Sequence, residues 1–274
     1  VEKNPPFDQG LLAEEMVKDA LAGIKAKTAQ RFEYDVRNIH RSIGARLSGE
    51  IAKAHGAAGL PDGTLHIKLH GSAGQSFGVW NAKGLTLELA GDANDYVGKG
   101  MNGGQVIIYP PVGSEFASSD AVIAGNTCLY GATGGDLFAA GMAGERFAVR
   151  NSGATAVIEG VCDHGCEYMT GGCVVVLGET GYNFGAGMTG GFALVYDPIQ
   201  KFAYRYNNEL IDTHLINGEA YGAIRAFLKD KITAHVALTG SSKGSELLAN
   251  FDEAVDYFWL VKPKVAKLDA LLKD

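Results

Sequence analysis

No apolar run in the chain approaches about 18 residues, the length that a membrane-crossing helix needs. No basic-then-apolar leader precedes residue 30, so a soluble, cytoplasmic protein with no membrane partner is expected. Lys and Arg form no cluster, and the formal net charge is −7, which argues against a nucleic-acid partner. Cysteine is scarce. Cys128, Cys162, Cys166 and Cys173 fall in one stretch and read as reduced thiols rather than a disulfide framework. A nucleophile elbow is missing, and so are the 10–15-residue helical crossovers that a doubly wound sheet requires. A start at Val1 rather than Met reads as a fragment or processed piece of something longer.

What the chain has is glycine: 38 residues, about twice average usage, with 27 of them between Gly71 and Gly191. The spacing Gly-x-x-x-x-x-x-Gly-x-Gly-Met-x-Gly-Gly occurs twice. The first copy is Gly91, Gly98, Gly100, Met101, Gly103, Gly104; the second is Gly178, Gly185, Gly187, Met188, Gly190, Gly191. Weaker copies include Gly71 and Gly78. Self-similarity at a fixed offset means stacked units.

Period-two stretches begin at Leu65 and Leu85, and further short strands begin near Gln105, Val122, Asp136, Ala154, Cys173 and Phe192. Short strands every 19–20 residues, linked by glycine corners, suit a mainly β fold: a single-stranded right-handed parallel β-helix. Glycine fits such corners because positive φ costs it little. The organisation predicted is an N-terminal helical cap over 1–64, the β-helix over 65–200, and a C-terminal helical segment over 201–274 that packs on it. Helices are expected near 11–24, 42–55, 217–235 and 242–250, a strand at 31–36, and an amphipathic piece at 251–259. The late strands are apolar on both faces, so they should lie under the C-terminal helices or another domain. Alternation assigns Val157, Val174, Val176, Ala193 and Val195 to that covered face, and Cys173, Val175, Leu177 and Leu194 to the interior.

Candidate chemistry is thin. Gly98-Lys99-Gly100-Met101-Asn102-Gly103 and Gly185-Ala186-Gly187-Met188-Thr189-Gly190 satisfy Gly-x-Gly-x-x-Gly. Each runs into a strand rather than opening a helix, so neither should bind a dinucleotide. Lys99 is followed by Gly100, which removes a Walker-type reading. Cys162, His164, Cys166 and Cys173 are the metal candidates, against the commoner role of cysteine as a small buried hydrophobe. His66 and His70 flank Lys68 on one strand face, which reads as a solvated surface. Asp92 and Asp95 could serve acid–base chemistry but suit hydrogen bonding in a turn better. No catalytic, cofactor-binding or metal site is assigned.

Several stretches resemble one family closely. They are Asn38-Ile39-His40-Arg41-Ser42-Ile43-Gly44-Ala45-Arg46-Leu47-Ser48, Gly71-Ser72-Ala73-Gly74-Gln75-Ser76-Phe77-Gly78, Gly144 to Ala154, Asp163 to Gly172, and the two glycine motifs. Over about residues 30–262 the chain resembles the C-terminal, GXGXG-type β-helix domain of the glutamate synthase large subunit. The resemblance implies a scaffold attached to a glutaminase domain and to an FMN-binding synthase barrel with a 3Fe-4S cluster. The parent reaction it implies converts glutamine, 2-oxoglutarate and reducing electrons to two glutamates. None of the family's catalytic or cofactor residues map onto this chain, so the isolated chain is expected to have no activity and no cofactor. Self-association stays open. Two alternatives stay open too: the β-helix subunit of a formylmethanofuran dehydrogenase-type complex, and a free-standing subunit of an N-methylglutamate synthase-like enzyme.

Overall fold

The computed structural model describes residues 9–111 and 113–272. The N-terminal part holds α1 (Leu11–Ala26), β1 (Gln30–Val36) and α2 (Ala45–His55). The middle holds β2 (Leu65–Ala73), β3 (Leu85–Ala93), β4 (Asn102–Tyr109), β5 (Val122–Ala124), β6 (Gly134–Ala143), β7 (Ser152–Val161), β8 (Thr170–Val176) and β9 (Gly190–Tyr196). The C-terminal part holds β10 (Ile211–Leu215), α3 (Gly222–Thr239), α4 (Ser242–Ala249), α5 (Phe251–Ala254) and β11 (Phe258–Pro263).

Strands run in the order β1-β2-β3-β4-β6-β7-β8-β9-β11-β10 in one sheet, with β5 bridging β3 and β6. Every pair from β1 to β9 is parallel. Sequential parallel strands joined by corners rather than helices make this a parallel β-solenoid of about six coils. The expected mainly β architecture with flanking helices is therefore observed.

One register line explains the interior. Phe32, Ile67, Leu87, Val106, Leu137, Ala156, Val174 and Ala193 stack one above the next. From Ile67 onward these are fully buried in one continuous core with Phe77, Phe147, Phe184 and the stripe Met16, Ala20 and Ile24 of α1. At about 25 cal/mol per Å² of apolar surface removed from water, such burial is the main favourable term.

The neighbouring register line reads the outer face: Glu33, Lys68, Glu88, Ile107, Phe138, Val157, Val175, Leu194. It changes from charged to apolar at β4. From Phe138 onward it forms a second core with Cys173, Leu177, Phe192 and Ile224, Leu228 and Ile232 of α3. The C-terminal helices do cover the late coils, and Val157 faces them as expected, but the face assignment for β8 and β9 is inverted. Val174 and Val176 point into the solenoid, whereas Cys173, Val175 and Leu177 point to the helices. Alternation carries no phase information when both phases are apolar, and bulges at the start of β7 (Ser152 to Thr155) and of β8 (Thr170 to Cys173) shift the count.

Three further differences follow from short elements. β1 is the first rung of the stack, so the N-terminal segment contributes to the sheet. Ile211–Leu215 and Phe258–Pro263 are strands, antiparallel to each other, and β11 is antiparallel to β9. They are only five and six residues long, too short for their period to stand out beside helices. α3 begins at Gly222 after a 3₁₀ turn at Glu219–Tyr221, not at residue 217.

Candidate functional site

The glycine motif is a turn ribbon along one edge of the solenoid. In each coil, residues at alternate positions have positive φ: Ser76, Gly78 and Trp80; Tyr96, Gly98 and Gly100; Thr127, Leu129 and Gly131. The pattern continues with Arg146, Ala148 and Arg150; His164, Cys166 and Tyr168; Asn183, Gly185 and Gly187. Overlapping i→i+3 bonds accompany it, such as Lys99 N–H to Tyr96 O (3.2 Å) and Met101 N–H to Gly98 O (3.1 Å). A type II turn needs positive φ at its third residue, so turns overlapping every two residues require it at every second position. That need is the physical origin of Gly-x-Gly.

The ribbon amides are already bonded. Gly98 N–H donates to Phe77 O (2.8 Å) in the coil before, and Gly100 N–H to Tyr130 O (2.8 Å) in the coil after. Gly185 N–H donates to Gly165 O (2.8 Å) and Thr189 N–H to Met169 O (2.9 Å). A phosphate cradle needs free amides at a helix N-terminus. Here the amides are consumed, and the motifs open strands β4 and β9. Gly71, Gly91, Gly103, Gly104, Gly178, Gly190 and Gly191 serve close approach instead. A Cβ at Gly104 would run into the Leu85 carbonyl, and one at Gly91 into the Gly71 carbonyl. Tyr130-Gly131 sits one step later in the ribbon than Phe77-Gly78 or Val97-Gly98, which leaves Tyr130 exposed while Phe77 and Val97 are buried.

The cysteine candidates do not converge. Cys166 lies inside the solenoid and Cys173 under the helices. Burial pushes both thiols up, and it pushes Cys128 up to about 12. Cys162 is half-buried and is also pushed up, by burial first and then by Asp163 and Glu145. With Cys166 in the solenoid core and Cys173 in the core under the helices, the set does not close around one ion as a zinc or iron–sulfur shell. His164 Nδ1 lies 2.8 Å from Glu167 Oε1, which also accepts from Asn183 Nδ2 (3.1 Å). Among the described residues, no group of three or more His, Cys, Asp or Glu is arranged to hold a metal.

His66, Lys68 and His70 do share an outer face. Glu88 collects His66 Nε2 at 2.6 Å, Tyr109 Oη at 2.5 Å, Arg31 at 3.6 Å and Lys68 at 3.8 Å. Burial alone would raise the Glu88 carboxyl, but the Tyr109 and His66 donors outweigh it and hold it below the usual range. His70 pairs with Glu33. Asp92 accepts from Ser72 Oγ (2.7 Å), and Asp95 Oδ1 accepts from the Asn126 amide (2.8 Å). These are turn and surface contacts.

Sequence reasoning missed one buried polar cluster. Glu159, alone among apolar residues of β7, faces α3 with no exposed side-chain surface. Its Oε1 accepts from Ser241 Oγ and lies 3.4 Å from His235 Nε2, and its Oε2 accepts from Ser118 Oγ (2.9 Å). Ser241 also caps α4, accepting from Gly244 N–H at 2.8 Å. Burial opposes ionisation of Glu159, yet the His235, Ser241 and Ser118 contacts together hold its carboxyl below the usual range. Although Ser, His and Glu are all present, the Ser and His both address the carboxylate, and Glu159, His235 and Ser241 are buried away from solvent. It is a clamp holding the helices to the sheet. A lone Glu inside Val157-Ile158-Glu159-Gly160 was the available signal, but its partners lie 41, 76 and 82 residues away.

An open cleft of about 660 Å³ crosses the glycine bulges, walled by Lys83, Asn102, Gln105 and Asp136. Burial raises the Asp136 carboxyl. Asp62 and Lys83 line the same cleft, and among the described residues no hydrogen bond or ion pair joins Asp136 to either. No helix among the described residues is long and apolar enough to cross a membrane.

The family model described as GXGXG motif matches residues 12–264. Ferredoxin-dependent glutamate synthase 2 of Synechocystis sp. is 49% identical over 266 residues, covering 96% of this chain and 16% of that protein. The NADH glutamate synthase of Schizosaccharomyces pombe is 51% identical over 235 residues, 86% of this chain and 11% of the relative. A chloroplastic ferredoxin-dependent glutamate synthase of Spinacia oleracea is 46% identical over 261 residues, 94% of this chain and 16% of the relative. The chain thus spans about one-sixth or less of the length of these relatives. With that match over nearly its whole length and the motif's glycines placed as rungs of a solenoid, the chain belongs to the GXGXG motif family.

Proposed function

We propose that the chain is a non-catalytic scaffold segment of a glutamate synthase. It holds a glutaminase domain and an FMN-binding synthase barrel in fixed relation while glutamine and 2-oxoglutarate become two glutamates. The observation that carries this reading is the fate of the ribbon amides: the groups that would grip a ligand are spent bonding one coil to the next. A filled interior supports it, since Phe77, Phe147, Phe184 and the stacked aliphatics leave no chamber for a substrate. A stack bonded along both its sheet and its ribbon resists bending. Rigidity matters because an intermediate passed between two sites is lost to water when they drift apart.

FMN and the 3Fe-4S cluster belong, on this reading, to the partner domains. The electron donor is left to the enzyme as a whole, since the relatives include ferredoxin- and NADH-dependent enzymes. Identity of about half over nearly the whole chain favours a glutamate synthase over a formylmethanofuran dehydrogenase-type complex. The test is direct. Purified chain should be colourless, hydrolyse no glutamine and hold no flavin, and pull-down from its native source should recover glutaminase and FMN-barrel polypeptides. A yellow or brown preparation, or recovery of a molybdenum or tungsten enzyme, would overturn the reading.

A further inference from the structure

The ribbon edge carries more than glycine. Trp80, Tyr96, Tyr130 and Tyr168 project from four of the first five coils of the ribbon and are 63%, 37%, 38% and 52% exposed. Backbone bonds fix their order along one edge: Trp80 N–H to Lys99 O (2.9 Å), Gly100 N–H to Tyr130 O (2.8 Å), Arg150 N–H to Glu167 O (2.9 Å). Lys99 Nζ sits 5.3 Å from the Tyr96 ring centre and 6.0 Å from that of Tyr130, and Arg150 lies 5.9 Å from that of Tyr168. Neither cation is paired with a carboxylate among the described residues.

Core packing does not account for exposed rings on this edge. Aromatic side chains and Arg are what interfaces concentrate, with the rings as anchors. α3 and α4 cover the late sheet face, and Glu88 gathers four donors on the early one. The relatives are at least about six times this chain's length, so far more polypeptide accompanies such a segment than the segment itself.

We propose that this aromatic–cationic edge is the docking surface for a neighbouring folded domain of the same synthase, and that the domain presents carboxylates to Lys99 and Arg150. The proposal deepens the scaffold reading and takes its occupant from it. Cations resting on rings with no anion at hand are complementary to an acidic surface.

The experiment uses the full-length synthase containing this chain. A photo-reactive phenylalanine analogue replaces Tyr130 or Tyr168, with His70 on the early sheet face as the comparison site, and cross-linked peptides are identified by mass spectrometry. Sites 130 and 168 should link to glutaminase or FMN-barrel peptides, and site 70 should not. Links from 130 and 168 only to this chain or a second copy, with site 70 reaching the other domains, would overturn the docking edge and leave the scaffold reading standing. No link from any of the three sites to another domain would overturn both. K99E with R150E should cut the cross-link yield at 130 and 168 several-fold while leaving the melting temperature of the isolated chain unchanged. An unchanged yield would contradict the acidic partner surface.

Discussion

At Gly104 and Gly131, one residue type meets two different demands. Both have positive φ, at 66° and 63°. Gly104 abuts the Leu85 carbonyl, whereas nothing lies within 4 Å of a Cβ at Gly131. Arg150 and Tyr168 hold the same rung as Gly131 in later coils, so a side chain is tolerated there. G131A should cost about 1 kcal/mol, the left-handed penalty alone. G104A should exceed that by at least about 2 kcal/mol because backbone must move as well. Urea denaturation measures both, and equal effects would refute the distinction. The glycine count and its two uses were legible in the sequence, but which glycine serves which was not, because both look like Gly between other residues. Glu159 makes the second test. Removing its carboxylate in E159A strands Ser241, His235 and Ser118, and should cost about 3 kcal/mol. Its carboxyl sits below the usual range, so the unfolded chain takes up the proton first as pH falls. The stabilisation is therefore complete above the ordinary carboxylate pKa near about 4.3 and fades as pH drops through the lower folded value. E159Q should flatten the acid limb of stability below about pH 5 relative to the parent chain.

At the scale of elements, strand and corner positions were readable because coils repeat every 18 or 19 residues over β7, β8 and β9, as in Ala156, Val174 and Ala193. Orientation was not readable for those strands. Val174 and Val175 are equally apolar, and only the bulges and the register decide that one faces the solenoid and the other α3. The early coils escaped this ambiguity because His66, Lys68 and His70 mark the wet face. β10 and β11 escaped notice because strands of five and six residues sit among helices that dominate the local period. The two valines now separate two outcomes. V175K should loosen α3 and α4, raising their amide exchange while β2, β3 and β4 stay protected. V174K puts a charge inside the stack and should unfold coils on both sides of it. Identical exchange patterns for the two variants would contradict the assignment of faces.

At the scale of the whole molecule, a stack whose ribbon amides are spent between coils belongs to a family in which it matches a small part of large synthases. The Glu159 clamp ties the C-terminal helices to the late coils, α1 and α2 pack on the first, and the ribbon edge is left to meet other domains. Family resemblance was legible from Asp163 to Gly172 and from the paired glycine motifs. The docking edge was not, because Trp80, Tyr130 and Tyr168 are scattered in sequence and become neighbours only when coils stack. The most direct measurement is the coupling ratio of the full-length synthase: glutamine hydrolysed per 2-oxoglutarate consumed, in the parent enzyme and in one carrying G104A. The account predicts that glutaminase and flavin half-reactions persist while the ratio climbs above one, as ammonia escapes between displaced domains. Loss of either half-reaction at an unchanged ratio would contradict it, placing chemistry in the segment rather than geometry.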